Sequence, residues 1–118
     1  MAWTIQEGII FCRQVQPIAM AYGWHVALGG SVLIRNSSEK DLDVFLYEHT
    51  PKKDEEIDIA YPDVVVSRLS SLIGLRPLDD KAKSPSDEVY KTIYRCTYHQ
   101  KRIDFIFLNN LKKYADNT

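Results

Sequence analysis

A chain of 118 residues, 45% hydrophobic and 26% charged, has room for one domain with a modest core, and these proportions are ordinary for a folded globular protein. Its formal net charge of −1 argues against a dedicated nucleic-acid binder, which shows a strongly basic face, so there is no strong nucleic-acid-binding signature. No apolar run is long enough to span a bilayer, and no basic stretch followed by an apolar segment opens the chain, so the expectation is a cytoplasmic protein with no membrane association. Cys12 and Cys96 have no metal-ligand spacing and lie in apolar-patterned segments, where they read as reduced core thiols.

In chain order, the first element is a helix from Thr4 to about Tyr22. Thr4 is its N-cap with Glu7 three residues on, and Ile5, Ile9, Cys12 and Ala19 form its apolar stripe. Pro17 is expected to kink or split this helix near Gln16, and Gly23 to end it. Trp24 to Gly29 reads as a short strand, and Gly30-Ser31 opens a turn or short helix reaching Arg35. Asn36-Ser37-Ser38 reads as a turn and Asp41 to Glu48 as a second strand.

His49 to Tyr61 is polar, contains Pro51-Lys52-Lys53-Asp54-Glu55-Glu56 and is a connecting loop or a lid. Pro62 to Gly74 is a helix with Pro62 in its first turn and a stripe of Val65, Leu69, Leu72 and Ile73. Leu75 to Asp87 is expected to be turn-rich, with Pro77 and Pro85 as breakers. Val89 to Tyr98 and Arg102 to Leu108 read as strands joined in a hairpin at His99-Gln100-Lys101, and the residues after about Tyr114 as a frayed end. The order predicts a single α+β domain, a mixed sheet with helices on one face, with its core over about residues 4–114.

The most informative stretch is Gly29-Gly30-Ser31, then nine residues, then Asp41-Leu42-Asp43, with a further acid, Asp104, inside the apolar run Arg102 to Leu108. Glycines let backbone amides approach a phosphate, and an adjacent serine can donate to its oxygens. Residues two apart on a strand share a face, so Asp41 and Asp43 present two carboxylates together. Such oxygen donors suit Mg²⁺ or Mn²⁺. An ionised Asp104 in an apolar strand costs on the order of several kcal/mol unless compensated, and a cation shared with the other acids would compensate it. The alternatives are a strand-edge Asp104 paired with Arg102 or left in solvent, and a solvated strand start for Asp41 and Asp43.

With these motifs the chain resembles the DNA polymerase beta-type nucleotidyltransferases and, in size, their small stand-alone members, the minimal nucleotidyltransferases. The resemblance runs from about His25 to Leu108. It implies that Asp41, Asp43 and Asp104 are the catalytic and metal-binding acids, that two divalent ions accompany a bound nucleoside triphosphate such as ATP, and that Gly29, Gly30 and Ser31 hold its phosphates. The implied reaction moves a nucleoside monophosphate to a hydroxyl of a protein, an RNA or a small molecule and releases pyrophosphate. Larger relatives hold base and acceptor with an additional helical domain, which implies a homodimer or partner protein here. The alternative of different class is a catalytically silent module of the same fold that binds nucleotide or a partner.

Among other residues, Arg35 has Glu39 as an alternative partner to phosphate. Tyr90, Tyr94 and Tyr98 share a strand face and either stack a base, present an acceptor hydroxyl or pack the sheet. His25, His49 and His99 have no zinc-site spacing. Trp3 and Trp24 read as packing residues.

Overall fold

A computed structural model of the protein describes residues 3–35, 37–38, 40–50, 59–83 and 91–108. Its elements are β1 (Trp3–Thr4), α1 (Ile5–Ala21), β2 (Trp24–Gly29), α2 (Ser31–Arg35), β3 (Ser37–Ser38), β4 (Asp41–Glu48), α3 (Pro62–Ile73), β5 (Arg76–Lys83), β6 (Lys91–Tyr98) and β7 (Lys101–Leu108). The charged segment Pro51–Glu56, the stretch 84–90 with Tyr90, Asn36, Glu39 and the chain end after Tyr114 lie outside the described residues.

Thr4 caps α1 as its spacing from Glu7 requires. Its hydroxyl accepts from the Glu7 amide at 3.2 Å, and the Glu7 carboxylate accepts from the Thr4 amide at 3.0 Å. Pro17 lies inside α1 and does not split it. Val15 and Ala19 on either side are completely buried, and that packing holds the helix together across the missing hydrogen bond. The fully buried residues are Gly8, Phe11, Val15 and Ala19; of the predicted stripe, Ala19 is among them, Ile5 and Cys12 pack partly buried against the core, and Ile9 is exposed. Gly8 sits close on the sheet: a β-carbon there would stand 3.1 Å from Leu42 Cδ1 and 3.3 Å from the Leu28 methyls, a tight fit that those side chains would have to yield to.

Five strands form one mixed sheet in the order β2-β4-β7-β6-β5, with β4 and β7 parallel and the other neighbours antiparallel. Leu42, Val44 and Leu46 on β4 and Ile103, Phe105 and Phe107 on β7 are fully buried on the face covered by the helices. Phe11 of α1 packs against Phe105, and Val65, Val66 and Leu69 of α3 join the same core. Leu72, predicted in the α3 stripe, is exposed, and Gly74 caps the helix at φ 77°. No described helix is long and apolar enough to cross a membrane.

Three local expectations are corrected. Ser37–Ser38 is a short strand paired with Trp3–Thr4, not a turn. Arg76–Lys83, expected to be turn-rich, is the edge strand of the sheet; Pro77 is tolerated at an edge, and the ladder shifts register between Pro77 and Lys81. The hairpin turn is the two residues His99 (φ 50°) and Gln100 (φ 68°), so Lys101 belongs to β7.

Candidate active site

The uncovered side of the central strands carries the charges. Strand alternation turns Leu42, Val44 and Leu46 inward and leaves Asp41 and Asp43 on the opposite face. Sheet register then gathers the sequence-predicted residues from three strands. Gly29 of β2 pairs with Asp43 of β4, Asp43 with Asp104 of β7, and Asp104 with Arg95 of β6. A second row, one pleat away, runs Asp41, Arg102, Thr97, Arg76. All three acids therefore share one face, on neighbouring strands.

Gly30 follows β2 at φ 70°, a conformation open to glycine at little cost. A β-carbon there would collide with the Asp43 carboxylate, and one on Gly29 would collide with the Phe45 ring. The glycines thus bring bare backbone against the acid row. Ser31 begins α2 immediately after this turn; its side chain lies outside the described set.

The electrostatics are those of crowded carboxylates. Burial, and then the charge of Asp41, hold the Asp43 carboxyl above the ordinary carboxylate range. Asp104 is raised by burial and by Asp41 and Asp43, against the opposing pull of Arg95 and Arg102. Asp41 forms an ion pair with Arg102, Nε to Oδ1 at 3.2 Å, that falls short of an aligned hydrogen bond. Arg102 is therefore the partner of Asp41, not of Asp104 as the alternative sequence reading had it. Asp104 Oδ1 and Arg95 Nε are buried without a hydrogen-bond partner among the described residues.

Hard oxygen donors, raised carboxyls and an orphaned carboxylate oxygen fit a divalent cation. Among the described residues no three His, Cys, Asp or Glu side chains converge as a finished metal cage.

Other candidates fall away from this face. Tyr94 and Tyr98 turn into the core, with Tyr94 edge-on to Phe107 at 5.6 Å and Tyr98 against Phe11 at 5.1 Å, so both pack the sheet. His25 lies 2.8 Å from His49, ring nitrogen to ring nitrogen, and stacks on Tyr47. Cys12 and Cys96 are free thiols, pushed by burial up to about 11 and about 12, respectively. A cleft of about 270 Å³ floored by Trp3, Phe11 and Tyr98 lies between α1 and the hairpin, beneath the helix-covered face and away from the acids.

The sequence reading missed Arg95. A two-residue turn at His99-Gln100 pairs Tyr98 with Lys101, and counting outward in steps pairs Arg95 with Asp104. The signal was present once the hairpin was assigned, but a turn one residue longer hid it.

No family model matches the chain, and no curated protein does. Solved structures do match. A ternary P/T complex of Leishmania infantum polymerase beta is similar at TM-score 0.55 and 14% identity, over 92% of this chain and 43% of that one. The mtPAP complex with CTP gives TM-score 0.54 and 18% identity over 89% of this chain and 25% of that one. The mtPAP complex with UTP gives 0.54 and 15% over 92% and 26%. The chain thus spans less than half the length of the polymerase and about a quarter of mtPAP. At these identities the likeness is one of fold: the protein has the α+β fold of the polymerase beta-type nucleotidyltransferases.

Proposed function

We propose that the protein is a metal-dependent nucleotidyltransferase, moving a nucleoside monophosphate from a nucleoside triphosphate to a hydroxyl acceptor. The register Gly29–Asp43–Asp104, with the Gly30 turn closed against Asp43, carries this reading. It sets a glycine turn, two strand-paired acids and a third acid one pleat away on one face. The nucleotide-bound polymerase folds supply independent support for triphosphate binding.

In this reading, the backbone around Gly30 and Ser31 cradles the terminal phosphates, because nothing projects from the glycines to hold them off. Asp41, which pairs with Arg102 here, and Asp43 would hold the divalent ion that accompanies the triphosphate. Asp104, whose Oδ1 is free to accept, orients the acceptor hydroxyl and takes up its proton. The hydroxyl oxygen bonds to the α-phosphorus, the α–β bridging P–O bond breaks, and pyrophosphate leaves with the electron pair. Bound together with the triphosphate, Mg²⁺ or Mn²⁺ would neutralise charge on the attacking and leaving oxygens of this in-line displacement.

The test is incubation with each α-³²P-labelled nucleoside triphosphate and Mg²⁺ or Mn²⁺ in a cell extract. Wild type should label an acceptor; Asp41→Ala and Asp43→Ala should lose both transfer and metal-dependent triphosphate binding while keeping the fold. Asp104→Asn should lose transfer and keep binding. Transfer by Asp43→Ala equal to wild type would sink the assignment. The second reading, a silent nucleotide-binding module, is favoured by the occupation of Asp41 by Arg102; it predicts triphosphate binding with no labelled product in any extract.

A further inference from the structure

We propose that Arg95, with Thr97 and Arg76 beside it, is a subsite for an oxyanion, phosphate or carboxylate, borne by the acceptor next to its reacting hydroxyl. The inference rests on the nucleotidyltransferase reading and gives the acceptor a chemical class. It begins with an asymmetry of charge. Across one face of the sheet, the glycine turn and Asp43 stand on one side of Asp104, and Arg95 on the other. In the next row, Asp41 stands on the same side as the turn, and Thr97 and Arg76 of β6 and β5 lie beyond Arg102. Among the described side chains, acids thus occupy the half beside the phosphate-cradling turn, and Arg95 and Arg76 the half beyond; β5 also carries Asp79 and Asp80, whose side chains lie outside the described set.

Asp104 sits at the border between these halves. With a triphosphate on the glycine side, an acceptor hydroxyl reaching Asp104 brings the rest of its molecule over β6 and β5. The first side chain it meets there is Arg95. A guanidinium stays charged at any working pH and offers a planar fork matched to phosphate and carboxylate oxygens. The Nε–H of Arg95 is buried and has no hydrogen-bond partner among the described residues, and neither does the facing Asp104 Oδ1. The two groups attract each other, as the downward pull of Arg95 on Asp104 shows, yet these atoms do not satisfy one another. A buried donor left without a partner is costly, and a bound oxyanion removes that cost. In the ladder Asp104 and Asp43 stand between Arg95 and Gly29, so Arg95 lies on the side of Asp104 away from the glycine turn.

Two measurements on the whole chain test this. In the first, protein labelled with ¹⁵N-arginine is titrated with inorganic phosphate and, separately, with acetate, following the Nε–H resonance of Arg95 assigned by its loss in Arg95→Lys. A saturable shift is expected, and the anion giving it tells phosphate from carboxylate; no shift with either overturns the proposal. In the second, labelled triphosphate and metal are offered glycerol, glycerol 3-phosphate or glycerate as acceptor. Wild type should favour an anionic acceptor about 10- to 100-fold over glycerol, the size of one charge-assisted hydrogen bond. Arg95→Gln should abolish that preference with triphosphate affinity unchanged, and Arg95→Lys, which keeps charge without the fork, should retain part of it. Where the glutamine variant fails to fold, the lysine variant supplies the comparison. Equal use of neutral and anionic acceptors, or weakened triphosphate binding in Arg95→Gln, overturns the subsite while leaving the transferase standing. If nothing is transferred to any acceptor in any extract, the transferase reading fails, and the anion titration still decides whether Arg95 binds an oxyanion.

Discussion

Along β4, Leu42, Val44 and Leu46 are buried against the helices, while Asp41 and Asp43 face the other way; β7 repeats the division with Ile103, Phe105 and Phe107 against Arg102 and Asp104. The two faces are one residue apart in sequence and, at the end that carries the acids, opposite in chemistry; further along, Phe45 and Ile106 continue the outer face as an apolar row. The covered face holds the domain together by apolar burial, and the uncovered face gathers charges that repel and are only partly answered by arginines. A two-residue period lets the same pair of strands perform both tasks, because a substitution at one position leaves the neighbour's face unchanged. The comparison is sharp enough to break: one face should respond in stability, the other in chemistry.

The largest effect is expected on the covered face. Phe105 is fully buried, meets Phe11 at 6.1 Å and lies in the central strand β7. Phe105→Ala should cost about 3–5 kcal/mol in urea unfolding, a large share of the roughly 5–15 kcal/mol that holds a domain of ordinary stability together. A loss under about 1 kcal/mol would show that the core does not depend on this face.

A smaller effect is expected where the two faces meet the turn. Gly30→Ala places a β-carbon at φ 70° against the Asp43 carboxylate, whereas Gly74→Ala, at φ 77°, meets nothing within 4 Å. Backbone strain, about 1–3 kcal/mol, applies to both. Only Gly30→Ala adds the collision, so it should be the more destabilising of the two, and Asp43→Ala in the same chain should recover the difference. Equal losses for both variants, with no recovery, would mean that the turn and the acid are not in contact.

How far the sequence foretold these faces follows from what each signal depends on. Strands β2 and β4 were read with their observed limits, because each is bounded by glycine or polar punctuation and fills one apolar run. The grouping of Asp41 with Asp43 needed only strand alternation, and Asp104 was singled out because a lone acid in an apolar strand demands compensation; the β4–β7 register sets it beside Asp43. Pairings that depend on register or on another element were not legible. The α1 stripe was misread at Ile9, and Gly8, which counts as nothing in an apolar pattern, was passed over although it packs closely on Leu42 and Leu28. Arg76–Lys83 was missed because Pro77 and the charges of an edge strand look like a turn, and only the free edge of β6 makes a strand there. The Asp41–Arg102 pair needed the parallel β4–β7 register, which no local pattern fixes.

The smallest effect is the most specific to the uncovered face. Asp43 and Asp104 have carboxyls held above the ordinary range, first by burial and then by neighbouring acids. A raised value means that the folded state holds these protons more tightly than the unfolded chain does. Their contribution to stability is therefore fully present below the ordinary carboxylate value, near 3.9, and is lost as pH rises through the raised values. Where both are ionised, the metal-free protein bears their repulsion. Asp43→Asn should flatten the decline of stability across that acidic window, judged as a difference from wild type because other carboxyls titrate there too. It should also raise the neutral-pH unfolding free energy by less than about 1 kcal/mol, since solvent screens a half-open site. Triphosphate with Mg²⁺ should raise the wild-type midpoint by binding the folded state, and should do so far less in the asparagine variant. A drop in neutral-pH stability on Asp43→Asn would instead make this carboxylate a structural anchor, and the division of labour between the two faces of β4 would fail at its central position.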